Sequence, residues 1–172
     1  ILSLLLTIGC ATFKPRPMEE VPFKDRAQTQ TEGRVRVTAA VLSKEESKEV
    51  FGVDLYKKLI QPIWFEIENR EKEPVWFLPG SVDRDYFTPL EVSHIHHFIY
   101  AKDLNPKMDK HFSGLGMGYY IGKNRVRSGF VFTHLDEGTK GFNVEIFGED
   151  GKSRMSTFFI QVPGLKVDHS LV

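Results

Sequence analysis

Short runs in which apolar side chains take every second position constrain this chain more than any other feature. In 34–41, Val35, Val37, Ala39 and Val41 fall on one side of an extended backbone and Arg36 and Thr38 on the other. Ile63, Phe65 and Ile67 alternate in the same way with Glu66 and Glu68. A period of two does not fit an amphipathic helix. It puts one face of a strand in a core and the other in water. After 63–69 comes a polar stretch, Asn69-Arg70-Glu71-Lys72-Glu73-Pro74, and then Val75-Trp76-Phe77-Leu78, so this pair predicts a hairpin. Farther on, 129–133, 142–147 and 155–162 are strand-like, with Asp136-Glu137-Gly138-Thr139 and Glu149-Asp150-Gly151-Lys152 as turns. These predict a three-stranded antiparallel meander. The sum is a mainly all-β chain, an antiparallel β-sandwich occupying 33–172.

Interruptions of that pattern predict one or two short helical insertions. In 45–60, Phe51, Leu55 and Leu59 recur at fourfold spacing, although Gly52 opposes a helix there. In 91–102, Val92, Ile95 and Ile99 follow Pro89 and suggest a second helix, while the glycine-rich 105–124 is given no element. The chain of 172 residues is long enough for one domain with a sizeable core, and 41% hydrophobic residues with 14 Phe place it among globular chains. Lys and Arg total 23 and Asp and Glu total 23. Without a basic excess or a basic block, nucleic acid is not an expected partner.

Before the strands the composition changes twice. Residues 1–9, Ile-Leu-Ser-Leu-Leu-Leu-Thr-Ile-Gly, are apolar but far short of the roughly 20 residues of a spanning helix. With no initiator Met and no positively charged start, they read as the remnant of a signal peptide. Cys10 is the only cysteine. Leu6-Thr7-Ile8-Gly9-Cys10 resembles a bacterial lipobox, in which the cysteine receives a diacylglyceryl group and becomes the acylated first residue of the mature protein. Gly9 is the small residue that pattern wants, Thr7 and Ile8 depart from its commonest form, and by the same resemblance Ala11, in place of Asp, implies sorting to the outer membrane in a cell with two membranes. Several acyl chains on one residue make a stable anchor, since each buried methylene contributes about 0.8 kcal/mol. An exported lone cysteine otherwise lacks a disulfide partner, the alternative being a small buried hydrophobe. Residues 10–32, with Pro15, Pro17 and Pro22 among mixed charges, then read as a lipidated tether. The other reading of this stretch is an ordered arm with Phe13 or Phe23 docked on the domain.

Candidate chemistry is sparse. His94-Ile95-His96-His97 is the densest group of possible ligands, and on a helix His94 and His97 stand one turn apart. Zinc needs three or four ligands. Glu91, Asp103 or His111 are the available supplements, but no spacing ties any of them to the pair, so the histidines are read as a helix flank and no metal or other cofactor is expected. Gly114-Leu115-Gly116-Met117-Gly118 has neither the spacing nor the context of a phosphate loop. Glu66 and Glu68 are the expected solvated face of a strand. Trp64 lies on that face, either covered by 45–60 or grouped with Tyr119 and Tyr120 in an exposed contact patch.

Four blocks, Phe51 to Tyr56, Gln61 to Arg70, Asp85 to Glu91 and Ser128 to Lys140, resemble a group of bacterial lipoproteins. In some proteins related segments stand ahead of a domain named after the LssY carboxy-terminal region. The resemblance covers most of 34–165 and carries no catalytic residue with it. In strand grammar the chain also resembles immunoglobulin-like domains of the bacterial envelope. The expectation is therefore a non-enzymatic, lipid-anchored envelope protein at the outer membrane, facing the periplasm, that binds a protein partner or serves as a structural element. The alternative is a small metal-dependent hydrolase using His94 and His97.

Overall fold

A computed structural model describes residues 12–164. Residues 1–9, read as a signal remnant, and the lipid attachment at Cys10 lie outside the described residues. The architecture is mainly β, with two four-stranded antiparallel sheets packed as a sandwich. The first sheet has the order β1-β2-β3-β6, from Gln28–Glu32, Val35–Val41, Ile60–Asn69 and Arg125–His134. The second has the order β5-β4-β7-β8, from Tyr120–Ile121, Val75–Leu78, Thr139–Gly148 and Ser153–Gln161.

Between the sheets, the alternating residues meet as expected. Val35, Val37, Ile63, Phe65 and Ile67 pack against Phe77, Phe142, Val144, Ile146 and Phe158. Phe65 meets Phe77 and Phe142 at ring-centroid distances of 5.6 and 5.7 Å.

Two predicted pairings are corrected. β3 and β4 do not form a hairpin, because β3 pairs with β2 and β6 while β4 pairs with β5 and β7. Asn69 sits fully buried where the chain crosses from one sheet to the other. Its amide donates to the carbonyls of Glu73, Ile121 and Gly122, and its Oδ1 accepts from the Glu71 N–H. These bonds satisfy backbone groups that a crossing strand cannot pair in a ladder. The meander is likewise broken: β6 belongs to the first sheet, and only β7 and β8 form the expected hairpin.

The first sheet is covered on its outer side by a second core. Among the described residues four α-helices occupy Lys44–Phe51 (α1), Pro79–Val82 (α2), Pro89–Ile95 (α3) and Asn105–Leu115 (α4). Val50 and Phe51 of α1, Val92 of α3, and Met108 and Phe112 of α4 pack on Trp64, Phe130 and Phe132. Gly52 ends α1 rather than weakening it, because its φ of 71° is the left-handed cap that glycine takes without strain. The predicted second helix stops at Ile95, short of 102, and α4 lies within the stretch given no element.

From Thr12 onward, the segment read as a tether is laid along this layer, and β1 places 28–32 inside the first sheet. The first sheet therefore begins before residue 33. Phe13 packs edge-on to His111, and Phe23 is fully buried against Trp64. Arg26 grips Glu46 with both guanidinium nitrogens at 2.8 and 2.6 Å, and Arg16 pairs with Glu49. Trp64 is thus buried, and the arm covers it together with the helical layer.

The sheet edges are blunted. Gln28 and Gln30 of β1 donate their side-chain amides to the Phe159 and Thr157 carbonyls of β8, clipping two edge strands together. On the free side of β6, the Phe87 N–H donates to the Phe132 carbonyl at 2.8 Å and the Met117 N–H to the Phe130 carbonyl at 2.9 Å. Gly129 permits this approach: a Cβ there would stand 2.7 Å from Met117 Cα and N.

Candidate functional site

Two places carry chemistry or exposed apolar surface. The first is built from α3 and α4. Thr88 and Glu91 close a capping box at the start of α3, with Pro89 in its first turn. Past Ile95 the chain tightens: the His96 N–H donates to the Ser93 carbonyl and the His97 N–H to the His94 carbonyl, both i to i+3 bonds. Such a turn nearly eclipses residues three apart. The His94 and His97 rings accordingly lie 4.7 Å apart.

Opposite them stands Asp109, from the middle of α4, where Met108 and Phe112 fix the helix by burying one face. Asp109 Oδ1 is 2.8 Å from His97 Nε2 and 3.8 Å from His94 Nε2, and it accepts a hydrogen bond of 2.7 Å from the fully buried Ser93 hydroxyl. The Ser93 hydroxyl and the His97 ring hold the Asp109 carboxyl below the usual aspartate range. One donor atom from each of His94, His97 and Asp109 falls within 4.8 Å of the others.

None of the three acids or bases offered by the sequence joins the pair. Glu91 accepts the Thr88 N–H in the capping box, and the His111 ring is engaged with the Val50 carbonyl at 2.7 Å. Asp103 is exposed in the short 3-10 turn before α4 and is not part of the group. Sequence reasoning misses Asp109 because it lies in the glycine-rich 105–124, to which no element is given. Proline in the first turn is compatible with a helix, and Met108 with Phe112 is the signal that could have found it.

The second place is the outer face of the second sheet. Trp76 stands opposite Tyr120 on one side and Phe147 on the other, forming a cross-strand aromatic row. Trp76 and Tyr120 meet edge-on at 5.8 Å. Tyr120, Met155 and Phe159 are half or more exposed, at 51%, 52% and 69%, so this face lacks the cover that the first sheet has. Beside the row is a groove of about 670 Å³ whose lining includes Trp76, Leu78, Ser81, Tyr86, Tyr119 and Glu145. The Tyr86 and Tyr119 hydroxyls are 3.3 Å apart, and that bond together with burial pushes Tyr86 up to about 12. Tyr86 therefore stays a neutral hydroxyl at physiological pH. The tryptophan that meets these tyrosines is Trp76, not Trp64.

The remaining sequence candidates are structural. Glu68 pairs with Arg36 and Arg70, each at 2.7 Å, on the solvated side of β3. Gly114 lies in the last turn of α4, and Gly116 bridges to Phe130. Among the described residues no helix is long and apolar enough to cross a membrane. No family model, curated protein or solved structure matches the chain.

Proposed function

We propose that this chain is an exported envelope protein, lipid-anchored through Cys10 at the outer membrane and facing the periplasm, which works by binding a protein partner rather than by catalysis. One observation carries the binding reading: the first sheet buries its outer side in a second core, while the second sheet leaves Tyr120, Trp76, Phe147, Met155 and Phe159 on an open face. Exposed apolar side chains on an uncovered sheet face are where partners dock. The groove beside Tyr86 and Tyr119 offers a pocket for an anchoring side chain.

Strand order supports an immunoglobulin-like assignment. Lettered in the immunoglobulin manner, β2, β3 and β6 take positions A, B and E, and β4, β7 and β8 take C, F and G. The fourth strand is added beside C as β5, and β1 extends the sheet beyond A.

A photo-crosslinker installed at Met155 in living cells tests the binding face. A discrete crosslinked protein, absent when the probe sits at Glu45 on the helical side, is expected; equal products from both positions would refute it. The anchor is tested separately by growth with a fatty-acid analogue. Label should enter the native chain and not Cys10→Ala, and an unlabelled native chain removes the lipoprotein reading.

The second reading, a metal-dependent hydrolase, is favoured only by the gathering of His94, His97 and Asp109. Its mark would be hydrolysis of ester or phosphoester substrates that is lost on chelation and restored by zinc.

A further inference from the structure

We infer that His94, His97 and Asp109 form a binding site for one divalent transition-metal ion of the zinc class, which ties the end of α3 to α4. The inference stands apart from the envelope reading and needs no hydrolytic activity. Two imidazoles and one carboxylate are a ligand set that suits zinc and its neighbours, whereas calcium and magnesium prefer oxygen donors. Three protein ligands leave a fourth position for water or for a group on a partner.

The geometry is close to what coordination requires. Ligands about 2.0–2.1 Å from a tetrahedral zinc stand roughly 3.4 Å from each other. Here the donor atoms already lie within 4.8 Å of one another, and His97 Nε2 and Asp109 Oδ1 are at 2.8 Å. The adjustment falls mainly on His94, whose side chain is 61% exposed and free to turn inward. The Ser93 hydroxyl, a buried donor, bonds Asp109 Oδ1, the same oxygen that faces both imidazoles, and so fixes the carboxylate while that oxygen keeps a second lone pair for the metal. A supporting hydrogen bond of this kind aims a ligating carboxylate and sharpens affinity.

Protons balance simply. Coordination through Nε2 requires each imidazole to be neutral with its hydrogen on Nδ1, so a proton carried by His97 Nε2 toward Asp109 would move to Nδ1 or leave to solvent as the cation enters. The flanking turn would gain order. Asn105 already fastens it by accepting the Phe98 N–H and donating to the Phe98 carbonyl, and the loop between carries the exposed Ile99 and Tyr100.

The test uses the full chain, freed of any affinity tag and stripped with chelator, titrated with zinc in a calorimeter and with cobalt in an absorption spectrometer. One equivalent of zinc should bind with a micromolar or tighter Kd, raise Tm, and give cobalt the intense visible bands of a four-coordinate site. His94→Gln, at an exposed position, should leave the metal-free Tm unchanged and weaken zinc at least tenfold; Ser93→Ala should weaken it about tenfold through Asp109. Binding only at millimolar zinc, binding of several equivalents, or an affinity unmoved by His94→Gln overturns the site.

Discussion

The Phe23 ring stands edge-on to the Trp64 indole with centroids 5.9 Å apart, and Lys24 Nζ lies 4.7 Å from the centre of the same indole. Residues preceding the first strand thus complete a core whose other half comes from the middle of the chain. Phe23→Ala removes a fully buried ring and should cost about 3–5 kcal/mol. Urea unfolding followed by tryptophan fluorescence measures it. A loss below about 1 kcal/mol would mean that the arm docks without belonging to the cooperative unit.

Gly129 marks where a loop pairs with β6. A methyl group there meets backbone atoms of Met117 and the Gly116 carbonyl, which cannot turn aside as a side chain can. Gly129→Ala should therefore destabilise by about 1–3 kcal/mol. Hydrogen exchange should show the Met117 amide losing protection first, since its bond to Phe130 is the one displaced.

Asn69 makes four side-chain hydrogen bonds at the crossing between sheets. Asn69→Ala leaves three carbonyls and one N–H without these partners, and the Ile121 carbonyl among them is buried, where an unsatisfied group costs about 1–3 kcal/mol. The expected loss is at least about 2 kcal/mol by thermal unfolding, larger than for exposed Asn143→Ala on the open face.

Acid sensitivity follows from two carboxylates. Burial pushes Glu46 up, but the Arg26 guanidinium and the Ser43 N–H outweigh it and leave the carboxyl below its ordinary range. Burial likewise opposes ionisation of Asp83, and the His134 N–H and ring together with the Asp85 N–H prevail, again lowering it. A lowered native value means that the unfolded chain binds protons first, so stability is present above about pH 4.5 and is lost as the pH falls through the carboxylate range. Urea midpoints taken from pH 7 to pH 3 should decline, and Glu46→Gln should flatten that decline.

How much of this was legible depended on whether burial acts locally. Strands β2, β3 and β7 were readable because each buries one alternating face in the inter-sheet core. β1 was not: Gln28-Thr29-Gln30-Thr31-Glu32 has no apolar residue, and its place depends on ladder bonds to β2 and amide clips to β8. The stretch from Arg70 to Pro74 looks like a hairpin loop, and nothing local says whether the chain folds back in its own sheet or crosses to the other. His94 and His97 were visible as a pair because they are three residues apart. Asp109 was not, because only the packing of α3 on α4 brings it there.

Met155 tests the open face from the stability side. Its side chain is 52% exposed, so Met155→Ser should change unfolding free energy by no more than about 0.5 kcal/mol. Crosslinking from a probe at Phe159, four residues farther along the same outward face of β8, should nonetheless fall severalfold in the Met155→Ser background. Unchanged crosslinking would show that Met155 lies outside the docking surface.

The two sheets differ in how much change they tolerate. From Gly129 to Thr133 in β6, and through most of β3, both sides of the strand are enclosed, so a substitution on either side disturbs one core or the other. In β7 and β8 every second position faces outward and can vary without touching the inter-sheet packing. Related chains should therefore diverge fastest along Asn143, Met155, Thr157 and Phe159. Such a fold can drift toward a new partner while its frame stays the same.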